Sequence, residues 1–200
     1  MYLWRNQPGE STYQASSISF KRRNCQKSEK QKRSFKGICK NFQMIEIRFD
    51  EGFEGLINEK RIRDILKNFL NRLFDNQKGI SILITNDAEI QKLNKQFRKK
   101  DYPTDILSWT YDVREGELAG PGLNEPQEEN IAGELAISVE RVKEQASENG
   151  WDFETEFVRL IAHGCAHLAG WDHEENEKQE RGMLELEIKL LKDVGLNNIY

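Results

Sequence analysis

The sequence predicts an α+β (mixed α/β) fold, with a single domain in which about four strands form a mixed sheet packed with helices. Three observations support this prediction. Short strand-like apolar segments lie between longer segments whose apolar residues recur three and four positions apart, which is typical of helices. Their order is strand, helix, strand, helix, two strands and three helices, a mixture typical of α+β or mixed α/β layers. The chain of 200 residues is also long enough to bury a substantial core.

Hydrophobic periodicity predicts the first four elements. Residues 44–49 alternate apolar and polar side chains, as a half-buried strand does, and apolar residues at helical spacing predict a helix at roughly 58–76. The apolar run at 80–85 predicts a second, largely buried strand. A helix follows at about 86–97, with an Asn-Asp pair available as its N-cap. Its inner side is predicted to carry Ile90, Leu93 and Phe97.

Proline and glycine mark the limits of the next two strands. Pro103 breaks any helix, and a strand is predicted after it at roughly 105–111. Residues 113–130 contain several Gly, Pro and acidic residues, which predicts a mobile loop. The fourth strand is predicted at 131–138, and Gly133 within it indicates a bulge or a close approach of two backbones.

Three helices complete the predicted fold. Ser138 can cap a helix that runs to about residue 148, where an Asn-Gly pair ends it. Asp152 can cap the next helix, which carries the histidines described below. The last helix is predicted at roughly 174–193, with acidic residues in its first turn, as the helix dipole favours. Its buried face is predicted to contain Leu184, Ile188 and Leu191.

Residues 1–43 differ from the rest of the chain in composition. They carry ten Lys/Arg against two acids, a net charge of +8, whereas residues 44–200 carry 20 basic and 32 acidic residues, a net charge of −12. The segment lacks a sustained hydrophobic period, so we expect a basic, disordered extension before a folded domain at 44–200. Three interpretations stay open: an organellar transit peptide, a nucleic-acid-binding arm, or an extension upstream of a true start at Met44, which composition favours.

Cysteine usage and hydropathy indicate the compartment. The three cysteines form no CxxC pair, and a sparse, odd set of this kind fits a reducing environment. No apolar run is long enough to span a bilayer. We therefore expect a soluble protein with no membrane partner.

All three histidines of the chain lie in one stretch, HGCAHLAGWDH, at residues 163–173. His163 and His167 are four residues apart, so on a helix they share a face. Gly170 is placed to end that helix, and His173 can then approach from the following turn. Three imidazoles converging in this way suit one zinc ion per chain, with a fourth coordination position open for water.

The spacing HxxxHxxGxxH follows the zinc-ligand pattern of metzincin proteases, with one decisive departure. Metzincins have a general-base glutamate directly after the first histidine, and this chain has Gly164 there. The stretch therefore predicts a zinc site but not peptide hydrolysis. Cys165 points away from the histidine face and is interpreted as a small buried hydrophobic residue. Asp172 either orients an imidazole or caps a turn, and no residue is assigned as general base.

The histidine stretch also resembles the HGxLHLxGYDH signature of the YbeY family of bacterial endoribonucleases, with Ala166 and Trp171 in place of the family's Leu and Tyr. Two further segments resemble the same family. Residues 93–109 are similar to its LNxxYRxxDxPTDVLSF segment, and residues 133–138 are similar to its GDIxIS strand. The resemblance covers about residues 44–195 and excludes the basic extension.

This resemblance implies a zinc-dependent, single-strand-specific endoribonuclease of the bacterial cytoplasm. It would act in ribosomal RNA maturation, near the 3′ end of the small-subunit RNA, and in ribosome quality control. His163, His167 and His173 would hold the zinc, and Arg98 and His163 would be the catalytic residues. The guanidinium of Arg98 suits this role, because it can hold a phosphate and stabilise its developing charge. The implied partners are single-stranded ribosomal RNA and the small ribosomal subunit or its assembly factors, with no DNA expected.

Two other functions stay open, because the acidic net charge of residues 44–200 is unusual for an RNA-binding protein. One is a different metal-dependent hydrolase, acting on a small phosphate ester or an amide, which an apolar pocket would favour. The other is a non-catalytic ribosome-assembly factor with a structural metal, which a filled fourth coordination position would favour. A basic cleft would favour RNA, and its candidate residues are Lys92, Lys95, Arg98, Lys99 and Lys100.

Overall fold

The computed structural model describes residues 43–74, 78–110, 131–172 and 176–200. Within them, four strands form one mixed sheet: β1 (Ile45–Phe49), β2 (Gly79–Thr85), β3 (Ile106–Thr110) and β4 (Ile131–Ser138). The order across the sheet is β1-β2-β4-β3. Strands β1, β2 and β4 are parallel, and β3 pairs antiparallel with β4 at one edge. The predicted α+β class with a mixed four-stranded sheet is confirmed.

The described residues also contain five α-helices: α1 (Glu59–Leu73), α2 (Asp87–Leu93), α3 (Val139–Asn149), α4 (Phe153–Leu168) and α5 (Glu177–Asp193). The predicted N-caps of α2, α3 and α4 are confirmed. The side chains of Asn86, Ser138 and Asp152 each accept a hydrogen bond from the backbone N–H three residues later. Such caps satisfy donors that the first helical turn otherwise leaves unpaired.

The two faces of the sheet are covered unequally. Alternate strand residues, such as Ile82 and Ile137, face the main core, which includes apolar residues of α1, α4 and α5. Their neighbours Leu83 and Ala136 face a smaller cluster with Ile90 of α2. The period-2 alternation of side chains along a strand produces this division. Helix α4 contributes apolar residues to the main core. Its two half-buried histidines lie at the border of that core.

Gly133 lies in a β-bulge, as the sequence predicted. Gly79 of β2 is opposite Ile131, but Ile80 is opposite Gly133, so Ala132 is the extra residue. A Cβ atom on Gly133 would lie 2.1 Å from the carbonyl oxygen of Trp109 on β3. Only glycine permits this approach of the two backbones, because any side chain would overlap the carbonyl.

The helix predicted to run to Phe97 changes its geometry before that point. The α-helix ends at Leu93, and Asn94–Arg98 form a π-helical turn. Asn94 is buried, and its side-chain amide donates to the Tyr102 carbonyl at 2.8 Å. Arg98 is the last residue of this turn. Phe97 is half-buried, and its ring meets the Trp109 ring edge to face at 5.9 Å.

Helix α5 buries the predicted Leu191 but not the rest of the predicted face. Leu184 is 41% exposed, so its assignment to the buried face was wrong, and Ile188 is only half-buried. The prediction rested on the spacing of apolar residues alone. The observed inner face of α5 also includes an acidic residue, Glu187. The buried residues of α5 are Met183, Glu187, Leu190 and Leu191. The helix begins after Asn176, whose side chain caps it.

Several predictions lie outside the described residues. They concern residues 1–42, the loop at 113–130, the two glutamates at 174–175 and the third histidine, His173. Among the helices that the structure describes, none combines the length and the apolar character that crossing a membrane requires.

Candidate metal centre

Helix α4 brings His163 and His167 together one turn apart. Their Nε2 atoms lie 3.2 Å from each other, and the two rings are nearly perpendicular, at 89°, with centroids 4.7 Å apart. Both side chains are half-buried, because they lie where the apolar side of α4 meets its accessible side. Gly170 ends this region with a φ of +88°, a left-handed conformation that glycine adopts without strain.

Each of the two imidazoles has a hydrogen-bond partner on its other nitrogen. His163 Nδ1 lies 2.9 Å from Glu187 Oε1, and His167 Nδ1 lies 2.9 Å from the carbonyl oxygen of Trp171. Both partners accept hydrogen bonds, so in a neutral imidazole they favour the tautomer with the proton on Nδ1. The Nε2 atoms are then electron-pair donors, and they face each other.

This arrangement fits a shared zinc ion. With both protons on Nδ1, the two Nε2 lone pairs at 3.2 Å repel each other, and a cation between them removes the repulsion. Zinc binds imidazole nitrogen at about 2.0–2.1 Å in tetrahedral geometry, so two histidine ligands lie roughly 3.3 Å apart. Among the described residues, no group of three or more His, Cys, Asp or Glu side chains is arranged to hold a metal. The third predicted ligand, His173, lies outside them.

Glu187 was missed by the sequence reasoning. It lies on α5, 4% exposed, and its second oxygen, Oε2, accepts a hydrogen bond from the hydroxyl of Tyr200. Burial raises the pKa of Tyr200, and the nearby Glu187 carboxylate raises it further, so this phenol stays protonated at neutral pH. A signal was present in the sequence: Glu187 stands four residues after Met183 and three before Leu190, on the helix face that turned out to be buried.

A close contact between α5 and the turn after α4 holds the partner of His167. A Cβ atom on Gly182 would lie 2.2 Å from the Trp171 ring, so the ring lies directly against the helix backbone. This contact requires glycine at position 182. The carbonyl of Trp171 is thereby held where it accepts from His167 Nδ1 at 2.9 Å.

Cys165 lies on the buried side of α4, as predicted. Its side chain is fully buried, and burial raises the pKa of its thiol to about 12. Burial keeps this thiol protonated at neutral pH, and a buried cysteine of this kind is chemically inert. The histidine pair therefore has no competing cysteine on its own helix.

Arg98 is exposed at the end of the π-helical turn. One of its terminal nitrogens donates to the Ser108 carbonyl of β3 at 3.4 Å, and Lys99, with a φ of +58°, turns the chain after it. Ile106, two residues before Ser108, lies against Gly164 of α4. Arg98 is thus held on the strand that packs beside the helix of the histidines.

The predicted basic cluster around Arg98 is partly neutralised by acids. Lys92 pairs with Glu89 at 2.9 Å, and Lys95 pairs with Asp101 at 2.6 Å. These exposed pairs contribute little to stability, but they reduce the local positive charge. The other basic residues of the cluster, Arg98, Lys99 and Lys100, are exposed and follow one another in the chain.

A second polar network lies one to two turns before His163 on α4. Glu156 is fully buried, and Arg159 binds it through two nitrogens, at 2.6 Å for the closest pair. Arg159 also donates to the Gln145 side chain at 3.4 Å, and Gln145 donates to Asp105 at 3.1 Å. Glu156 and Arg159 thus form a structural ion pair.

Two clefts lie away from the histidines. They are lined by residues around Arg61 of α1, which forms an ion pair at 2.8 Å with Glu154 near the start of α4. Neither cleft includes Arg98, His163 or His167. These clefts therefore provide no small-molecule pocket at the candidate metal centre.

Comparison with known proteins identifies relatives across most of the described chain. A family profile described as Endoribonuclease YbeY matches residues 49–195, which include Arg98 and the three histidines. Relatives named Endoribonuclease YbeY occur in Petrotoga mobilis (39% identity, 66% of this chain and 82% of the relative) and Aquifex aeolicus (40% identity, 63% and 77%). A solution structure from Thermotoga maritima superposes with a TM-score of 0.52 at 28% identity, covering 76% of this chain and 89% of that chain.

Proposed function

This chain belongs to the endoribonuclease YbeY family, and from that premise we propose that it is a zinc-dependent endoribonuclease that matures ribosomal RNA. Its substrate is single-stranded RNA near the 3′ end of the small-subunit RNA. It works in the bacterial cytoplasm and takes part in ribosome quality control with the small subunit or its assembly factors. The family matches support RNA cleavage, and the sequence resemblance supports the finer assignments.

The observation that carries the metal assignment is the pair of Nε2 atoms 3.2 Å apart, each on a ring whose Nδ1 has an acceptor. His163 and His167 would hold the zinc together with His173. Zinc bound there would supply Lewis acidity at a phosphoryl oxygen and lower the pKa of a water molecule. This chemistry suits cleavage of a phosphodiester bond.

The protein's own side chains would bind and orient the substrate. The guanidinium of Arg98, exposed beside β3, presents paired N–H donors that match two phosphate oxygens. Held there, a phosphate gains stabilisation of the negative charge that develops during cleavage. Lys99 and Lys100 continue the positive surface along the chain, and they would attract the backbone of a single strand without reading its sequence.

A metal and cleavage assay on two histidine variants tests the proposal. The purified full chain is analysed for zinc and incubated with a single-stranded fragment of the small-subunit RNA 3′ end. His163→Ala and His167→Ala should each lose bound zinc and lower the cleavage rate at least about 10²-fold, because each removes a metal ligand. Circular dichroism checks that both variants remain folded, and double-stranded RNA and single-stranded DNA serve as substrate controls.

The same assay separates the two other functions. Full RNA cleavage by a zinc-free variant would disprove the zinc requirement. Hydrolysis of a small phosphate diester by the wild type, with the RNA left intact, would support a different metal-dependent hydrolase. Bound zinc with no cleavage of either substrate would support an assembly factor with a structural metal.

A further inference from the structure

The carboxylate of Glu187 connects the candidate metal centre to the end of the chain. Its Oε1 lies 2.9 Å from His163 Nδ1, and its Oε2 accepts a hydrogen bond from the Tyr200 hydroxyl. One buried carboxylate thus uses both oxygens, one for an imidazole and one for a phenol. Tyr200 stands 13 residues after Glu187, so a segment beyond helix α5 reaches back to support the histidine.

Because Glu187 is buried, its carboxylate needs hydrogen-bond partners in place of water. Glu187 is 4% exposed, and an isolated carboxylate in such a place loses its hydration without replacement. Hydrogen bonds on both oxygens compensate for that loss. They also fix the carboxylate plane, because its two partners lie on different elements. The Tyr200 hydroxyl has a second neighbour in the Arg159 guanidinium, which is itself bound to Glu156.

The segment after α5, residues 195–200, turns back toward α5. Gly195, with a φ of +86°, turns the chain, and the N–H of Leu196 donates to the Leu191 carbonyl at 2.9 Å. Leu196 and Ile199 pack against the main core. These contacts bring the phenol of Tyr200 to Glu187, although about half of the residue, 52%, stays exposed.

We propose that Tyr200 is a positioning residue for the metal centre and acts through Glu187 on His163. The phenol holds the carboxylate in the orientation that accepts from Nδ1. The carboxylate in turn keeps the proton on Nδ1 and directs Nε2 toward His167 Nε2. This inference rests on the proposed function only where it names zinc as the bound ion. The hydrogen bonds from Tyr200 to Glu187 and from Glu187 to His163 are formed between protein groups and need no metal.

The variant that isolates the phenol is Tyr200→Phe, because it removes one oxygen atom and keeps the ring that packs at the end of the chain. Loss of a hydrogen-bonded partner behind a metal-binding histidine typically weakens metal binding 10- to 100-fold. Tyr200 lies one hydrogen bond further from the metal than Glu187. We therefore expect about 10-fold weaker zinc binding for Tyr200→Phe and a larger loss for Glu187→Ala. Glu187→Gln keeps an acceptor oxygen and should recover part of the loss.

Two measurements on the full chain test the proposal. Competition with a chromophoric chelator gives the zinc dissociation constant. Long-range proton–nitrogen NMR spectra of the metal-free protein give the tautomer of each imidazole. In the wild type, His163 should carry its proton on Nδ1, and in Tyr200→Phe and Glu187→Ala the Nε2–H tautomer should become populated. Tyr102→Phe is the matched control, because it removes a phenol hydroxyl from a residue that is 53% exposed on a different surface loop.

The outcomes distinguish the proposed zinc function from the positioning role of Tyr200. An unchanged zinc dissociation constant and an unchanged His163 tautomer in Tyr200→Phe would overturn the positioning role, as would equal effects in Tyr102→Phe. If the wild type binds no zinc, the proposed metal function fails, and the tautomer spectra of the metal-free protein still decide whether Tyr200 and Glu187 orient His163.

Discussion

Gly164 allows helix α4 to lie directly on the sheet beside the histidines. A Cβ atom there would be 2.7 Å from Ile106 Cδ1 on β3 and 2.7 Å from Leu135 Cδ2 on β4. In zinc proteases with similar histidine spacing, this position carries the general-base glutamate. The packing in this chain leaves no room for a glutamate side chain at position 164. The position therefore cannot supply the general base of a zinc protease.

Substitution of Gly164 should therefore be destabilising in proportion to side-chain size. In Gly164→Ala the added methyl group displaces two side-chain ends, and overpacking costs about 1–3 kcal/mol, which about 1 kcal/mol of improved helix propensity offsets in part. Gly164→Glu should prevent stable folding, because it adds a buried, unpaired carboxylate. Urea denaturation gives the free energy of unfolding. A Glu variant as stable as the wild type would contradict the packing at this position.

Arg98 differs from Gly164, because its exposed side chain is available to a substrate. Arg98→Ala should lower the rate of RNA cleavage about 10²-fold, the usual effect of removing one group that stabilises transition-state charge. Arg98→Lys should recover only part of this, because an ammonium cannot bind a phosphate bidentately. Melting temperatures should stay unchanged, since the side chain makes one long hydrogen bond at 3.4 Å. Steady-state kinetics on single-stranded RNA gives kcat and KM.

Lys143→Ala provides the comparison for Arg98, because it removes an exposed positive charge from α3. If Lys143→Ala and Arg98→Ala reduced the rate equally, the effect would reflect the overall charge of the protein and not a phosphate contact. Zinc content measured in every variant separates loss of metal from loss of substrate orientation.

At the scale of elements, α5 supports both imidazoles of α4. Its Glu187 contacts His163 Nδ1 at 2.9 Å, and its Gly182 receives the ring of Trp171, whose carbonyl contacts His167 Nδ1 at 2.9 Å. The two residues are five positions apart, so they lie on neighbouring turns of the helix. The geometry of the histidine pair thus depends on how α5 packs against α4.

Gly182→Ala should disturb the second of these contacts. Its methyl group would overlap the Trp171 ring, with 2.2 Å between the Cβ position and the nearest ring atom, so the ring and the carbonyl that follows it must move. We expect about 10-fold weaker zinc binding, because a hydrogen bond behind a proposed zinc ligand, His167, is lost. Chelator competition measures the affinity. Leu184→Ala, an exposed position of the same helix, should bind zinc like the wild type, and equal binding by both variants would exclude this role for the contact.

Sequence patterns predicted the elements that depend on local physics. The caps at Asn86, Ser138 and Asp152 and the bulge at Gly133 follow from side-chain and backbone preferences that operate over a few residues. The buried face of α5 was not predicted, because Glu187 is buried only through partners distant in the chain. The π-helical turn at Asn94–Arg98 was missed for the same reason: the buried Asn94 amide depends on Tyr102, eight residues later.

At the scale of the whole molecule, Asp105 joins several elements of the fold. Its backbone carbonyl accepts from the Ser138 N–H at 2.9 Å, where β4 meets α3. Its side chain accepts from the Ile106 N–H at 2.8 Å, from the Thr104 hydroxyl at 3.0 Å and from Gln145 of α3 at 3.1 Å. Through Gln145 it is linked to α4. A single carboxylate therefore connects the sheet with two helices.

The pKa of Asp105 should make part of the stability depend on pH. Burial raises this pKa, but the hydrogen bonds from Gln145, the Ile106 N–H and Thr104 outweigh burial and hold the pKa below its ordinary 3.8. The ionised carboxylate therefore stabilises the fold fully above about pH 4, and this contribution is lost as the pH falls through the folded-state pKa.

Asp105→Asn should remove that dependence. At pH 7 the variant should be less stable than the wild type by about 1–3 kcal/mol, the usual value of hydrogen bonds to a charged group. The difference should shrink as the pH falls below about 4, because protonation of Asp105 weakens the wild type alone. Urea denaturation of metal-free protein across this range gives both free energies of unfolding. Asp64→Asn removes an exposed carboxylate paired with Lys67 at 3.2 Å and should change stability little at any pH. A constant difference between Asp105→Asn and the wild type down to pH 2 would show that the Asp105 charge does not stabilise the fold.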